Sequence, residues 1–371
     1  MMSKRKRIVF IGFTKIKYMP YMHFYLDMIP VNEYEIHLIY WNRDNGNDQV
    51  LNSSVALHPF NKEMEDTIPL RRKIFSILQF GKYAQKELSI INPDLLIVMH
   101  STTAITIYAT LIKKYKERYI FDYRDITYER IGVYKKMVGR IVKKSFVTFT
   151  SSEDFKKYLP VETNKIYTSH NILVESMHKT EQYKSRVKRN KSEALNIGFW
   201  GLIRHTEYNR QIIKQLGNDF RFELHYYGRA TGEDLELLEE SEKKYNNIFF
   251  HGEYMPEERD TFAMRTDLIH NLYSNLDVTT PHAMGNKFYD GLVYRIPQLC
   301  SVGSYMGRLC KEHGVGLECD PFDEEFGDII INYYNNLDFR TFNRSCDELL
   351  QEIVEDVKKG ERKINEFIRY K

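Results

Sequence analysis

The sequence predicts an α/β protein with two domains, each built on a doubly wound parallel sheet. Its 371 residues exceed what a single hydrophobic core usually organises, so two domains are expected. Short continuous apolar runs, typical of strands covered on both faces, alternate with segments whose apolar residues recur at helical spacing. This alternation lapses once, between Glu175 and Ala194, and then starts again. Strands and helices that alternate in this way form parallel sheets with helices packed on their faces.

Six strands are predicted in the first half, and helix signals separate several of them. The predicted strands are Ile8–Phe13, Glu35–Trp41, Leu95–Met99, Tyr119–Asp122, Phe146–Thr150 and Lys165–Thr168. The predicted helices are Tyr18–Ile29, Arg72–Ile91 and Thr103–Tyr115. Pro30 ends the first helix and Asn92-Pro93 ends the second, because proline and the residue before it disfavour helical backbone. Ser151-Ser152, followed by Glu153 and Asp154, is expected to cap a further helix after the fifth strand.

The second half repeats the same succession of strands and helices. Its predicted strands are Asn196–Trp200, Arg221–Tyr227, Ile248–Phe250, Leu268–Tyr273 and Pro297–Ser301. Its predicted helices are Asn209–Leu216, Gly232–Tyr245, Pro256–Met264, Lys287–Tyr294 and the long segment Phe339–Tyr370. The expected boundaries are 1–175 for the first domain, 176–194 for a basic linker and 195–350 for the second domain. Residues 351–371 are expected to form a terminal helix that packs back across both domains.

Composition and charge exclude several classes of protein. With 42% apolar and 28% charged residues the chain resembles an ordinary globular protein, and a net charge of +3 is too small to favour nucleic acid as a partner. The four cysteines have no metal-binding spacing, so we expect reduced thiols and no metal site. No apolar run is long enough for export or for spanning a bilayer. These observations favour a cytoplasmic protein whose membrane contact, if it has one, is peripheral.

Ligands of doubly wound domains bind where the carboxyl ends of the strands meet loops and helix N-termini. Neither half contains the G-x-G-x-x-G of a dinucleotide-binding fold, and a single glycine, Gly12 or Gly201, follows the first strand of each half. A dinucleotide cofactor is therefore disfavoured.

The segment GNKFYDGLVYRIPQLCS carries the most specific pattern in the chain. A helix that begins near Asn286 points backbone N–H groups at an anion, and Lys287 adds a positive charge there. Asp290 lies three positions after Lys287 and seven before Pro297, so it shares a helix face with the lysine. A surface helix with an ordinary Lys–Asp pair is the alternative interpretation.

This segment resembles the signature of the large retaining group of bacterial GT-B glycosyltransferases, similar to glycosyltransferase family 4. The resemblance implies two Rossmann-like domains around a cleft, and a nucleotide sugar, expected to be a UDP-sugar, as the co-substrate. It implies that Asn286 and Lys287 hold the diphosphate and that Asp290 accepts the ribose hydroxyls. It also implies transfer with retention, no tightly bound cofactor, and a role in making capsule or another cell-surface polysaccharide.

Further residues of the second half are of the types that the resemblance implies for donor binding. Those assigned to donor binding are Gly201, Arg204, Gly228, Glu253, Tyr254, Met255 and His282. Arg204 is the second expected phosphate ligand, because a guanidinium can hold two oxygens at once. Glu253, Tyr254 and Met255 would hold the base through their backbone. His282 stands where many members of the group have a glutamate that orients the sugar, so the donor sugar is left open.

In the first half, His100 follows a buried strand and is expected to lie beside the reacting sugar carbon, as it does in similar enzymes. Gly12 and Lys15, with Arg124 and Asp125 of the segment FDYRD, are assigned to the acceptor side. An internal ion pair that fixes the loop is the alternative for this segment. The basic and aromatic segment Lys15–Met22 suggests a glycan or lipid-linked oligosaccharide acceptor at the inner face of the membrane.

Two other functions are compatible with the same fold. A nucleotide-sugar epimerase would interconvert the donor without an acceptor. A non-catalytic subunit that binds a sugar nucleotide would support a partner enzyme.

Overall fold

The computed structural model describes residues 5–44, 46, 54–64, 69–161, 163–172, 180–184 and 193–369. The chain divides into two compact units. The first comprises Met1–His170 with Glu355–Lys371, and the second comprises Asn171–Val354. Each unit contains one sheet in which every described strand pair is parallel. This is the doubly wound α/β architecture that the sequence predicts.

The first unit has a seven-stranded sheet in the order β3-β2-β1-β4-β5-β6-β7. Its strands are β1 (Lys6–Gly12), β2 (Tyr34–Asn42), β3 (Val55–Asn61), β4 (Leu95–Met99), β5 (Tyr119–Tyr123), β6 (Val147–Thr150) and β7 (Ile166–Thr168). The central strand β1 pairs with both β2 and β4, so the strand order reverses between β1 and β4. Ligands of open parallel sheets bind at such a reversal.

The helices of the first unit are shorter than predicted in two places. They are α1 (His23–Leu26), α2 (Leu70–Ile91), α3 (Ser101–Thr106), α4 (Tyr108–Lys113) and α5 (Gly132–Lys144). The predicted helix Tyr18–Ile29 is wrong in type, because most of its length is 3-10 turns and irregular chain around the four-residue α1. The predicted helix Thr103–Tyr115 breaks at Ile107, which separates α3 from α4. Ser152 caps Asp154 as expected, although the helix that follows is 3-10.

The second unit has a six-stranded sheet in the order β10-β9-β8-β11-β12-β13. Its strands are β8 (Leu195–Trp200), β9 (Phe222–Tyr227), β10 (Ile248–Gly252), β11 (Leu268–Asn271), β12 (Gln298–Ser301) and β13 (Gly316–Cys319). Its helices are α6 (Thr180–Tyr183), α7 (Thr206–Leu216), α8 (Glu233–Lys244), α9 (Arg259–Arg265), α10 (Asn286–Val293), α11 (Tyr305–His313) and α12 (Phe326–Asn336). The central strand here is β8, which leads into the loop that contains Gly201.

The last helix, α13 (Phe339–Ile368), contributes to the cores of both units. Phe342, Cys346 and Leu350 pack in the core of the second unit. Ile364 and Phe367 pack in the core of the first unit, under the sheet residues of β1 and β4. The helical prediction for Phe339–Tyr370 is thus confirmed over the described residues, whereas most of the predicted linker 176–194 lies outside them.

All four cysteines are buried and free. Among the described residues, no group of three or more His, Cys, Asp or Glu side chains is arranged to hold a metal ion. A search of the described helices finds none with the length and apolar character needed to span a bilayer.

Candidate functional site

Three glycines mark the carboxyl ends of neighbouring strands in the second unit. Gly201, Gly228 and Gly252 have φ angles of 117°, 133° and 72°, which favour glycine. The N–H of Gly228 donates to the carbonyl of Gly252 at 2.6 Å. A Cβ atom on Gly228 would lie 1.8 Å from the carbonyl oxygen of Gly201. The ends of β8, β9 and β10 therefore present closely packed backbone without side chains, which is the surface that a phosphate or a nucleoside can approach.

Helix α10 starts on this same edge of the sheet, because it connects the carboxyl end of β11 to the start of β12. Its position is held by close packing of Gly291 on Gln298, whose side chain donates to the carbonyl of Phe288 at 3.0 Å. The other side of the Gln298 amide accepts from Asn271 at 2.7 Å. These contacts connect α10 rigidly to β11 and β12.

Lys287 points into the unit rather than into solvent, and its side chain is buried. Its Nζ donates to the hydroxyl of Tyr273 at 2.5 Å and lies 3.7 Å from the centroid of the Phe199 ring. Within the described part of the chain it forms no ion pair with a carboxylate. Aromatic rings stabilise a cation in such a position, but they do not neutralise it. The site therefore holds a buried amine whose positive charge no carboxylate contacts directly among the described residues.

Burial lowers the pKa of Lys287 to about 7, against the opposing effect of Asp290. The positive charge of Arg204 lowers this pKa further. Arg204 itself is exposed in the loop after β8, and its carbonyl accepts from Asn209 at 3.1 Å. An anion placed beside these two cations would restore the ordinary pKa of the lysine.

Asp290 lies one turn after Lys287 and is held by two donors. Its Oδ2 accepts from the indole Nε1 of Trp200 at 2.8 Å, and its Oδ1 lies 3.4 Å from Nη1 of Arg259. Burial raises the pKa of Asp290, whereas Arg259 and the Trp200 hydrogen bond act in the opposite direction. The carboxylate is thus fixed in orientation and retains accepting capacity for further hydroxyl donors. The interpretation of Lys287 and Asp290 as an ordinary surface pair is not compatible with this burial.

His270, on strand β11, is buried near these residues and forms hydrogen bonds with uncharged groups. The Nδ1 of His270 accepts from the N–H of Leu272 at 3.0 Å, which assigns the proton to Nε2, 3.2 Å from the Oδ1 of Asn209. Burial lowers the pKa of His270 to about 3, so this imidazole is uncharged at neutral pH. The neighbouring His205 has a left-handed backbone, with φ of 71°, and packs edge-on against the Tyr273 ring.

The remaining predicted donor residues lie in loops at the same edge of the sheet. Glu253 and Met255 are exposed and Tyr254 is half-buried, all after β10, with the Tyr254 ring edge-on to Phe262. His282 is half-buried at the end of a 3-10 turn, and Asn286 is exposed at the first turn of α10. The structure therefore brings the predicted donor residues to one edge of one sheet.

Sequence reasoning missed the residues that hold the two central side chains. Trp200, Arg259 and Tyr273 were assigned only to secondary structure, although they are the partners of Asp290 and Lys287. Trp200 is 90 positions from Asp290 in the chain, so no local pattern connects them. Arg259, at the start of a short helix after β10, also belongs to no sequence pattern that indicates a binding residue.

In the first unit, His100 ends β4 at the point where the strand order reverses. Its backbone has φ of 72°, its Nε2 lies 2.8 Å from the hydroxyl of Tyr21, and its Nδ1 lies 3.6 Å from Asp125. The Phe13 ring packs edge-on against the imidazole at 5.1 Å. Burial lowers the pKa of His100, and Asp125 opposes this shift. His100 and Asp125 therefore form one polar group next to the end of β1.

Two other predicted acceptor-side residues are internal. Lys15 is buried and forms an ion pair with Asp44, whereas Lys17 and Tyr18 of the segment Lys15–Met22 are exposed. Arg124 is buried in an ion pair with Asp122 at 2.8 Å and lies over the Tyr21 ring. The structure favours the alternative interpretation of FDYRD, an internal ion pair that supports the loop. Gly12 is buried, and a Cβ atom at this position would lie 2.2 Å from the sulfur of Met19.

Comparison with known proteins gives a clear structural result. No family model and no curated protein sequence matches the chain. Solved structures do match. A sucrose-phosphate synthase from Thermosynechococcus elongatus aligns with a TM-score of 0.65 and 10% identity, over 99% of this chain and 96% of that one. A glycosyltransferase from Rickettsia africae aligns with a TM-score of 0.63 and 12% identity, over 99% and 100%. Anabaena HepE in complex with UDP and glucose aligns with a TM-score of 0.57 and 11% identity, over 94% and 100%.

The chain has the GT-B fold. The alignments cover nearly the whole of both chains, and both parallel sheets are present in the order described above. At identities of 10% to 12% this likeness concerns the fold, and the function has to be argued from the site.

Proposed function

We propose that this protein is a glycosyltransferase that binds a nucleotide sugar on its second unit and transfers the sugar to a glycan or lipid-linked acceptor. The observation that carries the proposal is the amine of Lys287, buried against Phe199 and Tyr273 at the start of α10 without an ion pair to a carboxylate among the described residues. Burying an unpaired cation is costly, and a structure retains such a group where a ligand supplies the opposite charge. A diphosphate at the N-terminal end of α10 supplies it.

Asp290 supports the nucleotide part of the proposal. Trp200 and Arg259 hold its carboxylate one turn beyond Lys287, so an anion bound at the lysine would bring an attached ribose near a fixed acceptor of hydroxyl protons. The backbone of Glu253, Tyr254 and Met255 would then contact the base. HepE was solved with UDP and glucose, which favours a UDP-sugar as the donor here.

In the proposed reaction, the bond between the anomeric carbon and the diphosphate breaks while an acceptor hydroxyl forms a new bond to that carbon. Negative charge then grows on the departing diphosphate, and Lys287 and Arg204 stabilise it. The acceptor hydroxyl loses its proton to the departing phosphate, and no metal is needed in this scheme. Retention of configuration follows from the resemblance to the family 4 group, and NMR of the product's anomeric proton tests it.

His100 and Asp125 are the proposed acceptor-side group of the first unit. They lie at the strand reversal of their own sheet, and the half-buried imidazole is oriented by Tyr21. We propose that this group contacts the transferred sugar or the hydroxyl that accepts it, in the synthesis of a cell-surface polysaccharide at the cytoplasmic side of the membrane.

A thermal-shift screen with UDP-, GDP- and dTDP-sugars, followed by detection of released nucleotide, tests the donor site. A ligand that binds only the folded state raises the melting temperature. We expect a UDP-sugar to stabilise the wild type and the control variants Lys214→Ala and Asp328→Asn, whose side chains are exposed elsewhere in the second unit. Lys287→Ala and Asp290→Asn should lose this stabilisation and the release of UDP.

The same screen separates the competing functions. Conversion of the donor into an isomer without an acceptor would identify an epimerase, and binding without any turnover would identify a non-catalytic subunit. Equal stabilisation of the Lys287→Ala and Asp290→Asn variants would exclude the proposed site altogether.

A further inference from the structure

Two helices of the first unit carry an unusual concentration of positive charge. Helices α2 and α5 together contain ten Lys or Arg residues and one acidic residue, Glu87, whose carboxylate is bonded to His58. The whole chain has a net charge of only +3. The positive charge is thus concentrated on these helices and not spread evenly.

Topology places both helices in one layer. The connections from β3 to β4, from β4 to β5 and from β5 to β6 all step in the same direction across the sheet. Right-handed crossovers in one direction put their helices on one face of the sheet, and α3 packs against both α2 and α5. The sides of α2 and α5 that face away from the sheet therefore belong to a single outer surface, which we call the α2–α5 surface.

The cations of the α2–α5 surface are exposed, apart from the half-buried Lys73. In α5 they are Lys135, Lys136, Arg140, Lys143 and Lys144, all of them exposed. None of the ten forms an ion pair with a carboxylate among the described residues. An ordinary solvated face mixes both signs of charge and pairs many of them. This surface instead has a strong potential that attracts anions.

The same surface exposes large apolar side chains. On the outer side of α2, Leu78 lies one turn after the adjacent residues Ile74 and Phe75, with Phe75 61% and Leu78 56% exposed. Arg71 precedes and Lys82 follows them on the same stripe of the helix. At the start of α5, Val133 is 70% exposed. Apolar side chains between cations match a lipid interface, where the chains enter the acyl boundary and the cations meet the headgroups.

We propose that the α2–α5 surface binds an anionic phospholipid membrane. The cations supply attraction to the headgroups, and the apolar triplet Ile74, Phe75 and Leu78 supplies the insertion that a nucleic acid could not use. The surface is distinct from the segment Lys15–Met22, which the sequence suggested for this role and of which Lys15, Ile16, Met19 and Met22 are buried while Lys17 and Tyr18 are exposed. The proposal does not depend on the donor site, because all of these residues belong to the first unit.

Flotation of the full chain with phosphatidylcholine vesicles, with and without phosphatidylglycerol, tests the proposal. We expect association with the anionic vesicles at low salt and its loss at high salt. Each cation at such a surface contributes about fivefold to binding, so Lys135→Gln/Lys136→Gln should weaken it about 25-fold. Phe75→Ser/Leu78→Ser should weaken it as well, without changing the salt dependence.

Matched controls come from the second unit. Lys214→Gln/Lys243→Gln removes two exposed lysines there, and Phe220→Ser removes a phenylalanine that is 89% exposed. Both control variants should bind vesicles as the wild type does, and all variants should unfold at unchanged temperature because the altered side chains are exposed. Vesicle binding that is equal for the test and control variants would overturn the proposal. So would binding to poly(U) without binding to anionic vesicles, because the surface would then be a nucleic-acid site.

Discussion

The burial of Lys287 makes the stability of the second unit depend on pH in a predictable direction. An ordinary lysine has a pKa of 10.5, and burial lowers that of Lys287 to about 7. Between these values the unfolded chain binds a proton that the folded chain has released, so the free energy of unfolding rises as the pH rises. From pH 7 to pH 9 the free energy of unfolding rises by about 2 kcal/mol, because the folded protein no longer has to bury a protonated lysine.

Replacing Lys287 by Met removes this titration and keeps most of the side-chain volume. We expect the wild type to gain about 2 kcal/mol relative to Lys287→Met between pH 7 and pH 9, which corresponds to about 5 °C in melting temperature for a domain of this size. The protein contains two tryptophans, so a Trp41→Phe background leaves Trp200, next to the site, as the fluorescent reporter of unfolding. Lys214→Met, at an exposed position of α7, is the control.

Parallel pH curves for the wild type and Lys287→Met would refute the reasoning, because the lysine would then keep its ordinary pKa in the folded protein. The prediction also differs from what a surface pair implies. An exposed lysine could be removed without changing the pH dependence of unfolding, whereas removal of this one changes it.

Three further predictions concern the same unit. The affinity for UDP should fall as the pH rises through about 7, because the diphosphate binds the protonated form of Lys287, and titration calorimetry should detect proton uptake on binding. Gly228→Ala should destabilise by more than about 3 kcal/mol in urea unfolding, because its Cβ would overlap a backbone carbonyl, whereas Gly232→Ala meets no atom and should cost about 1 kcal/mol. Trp200→Phe removes one donor from the carboxylate of α10 and should weaken UDP binding about tenfold, whereas Trp41→Phe in the first unit should leave it unchanged.

Much of the fold could be predicted because the strands of both sheets are continuous apolar runs. Strands β1, β4 and β8 lie where the sequence places them, within a residue or two. Strand β3 escaped prediction because Val55–Asn61 contains Pro59 and lies at the sheet edge, where proline is tolerated. Helix α5 escaped because its many lysines obscure the apolar positions that face the sheet.

The candidate site, like the fold, could be predicted only in part. The spacing of Asn286, Lys287, Asp290 and Pro297 carried the expectation of an anion site, and the structure places these residues in and after a helix that starts at the carboxyl edge of the sheet. The burial of Lys15 could not be predicted, because a basic side chain in a loop gives no local sign that it will fold inward to an aspartate.

The sequence by itself determined most of the succession of strands and helices, the two parallel sheets and the position of helix α10. These depend on patterns that repeat within a few residues, namely the periodicity of apolar side chains and the residues that start and stop helices. Only the tertiary structure decided that Lys287 is buried without an ion pair among the described residues, that Trp200 holds Asp290, and that the cations of α2 and α5 form one surface. Those facts depend on which distant segments pack together, and burial and electrostatic interactions follow from that packing.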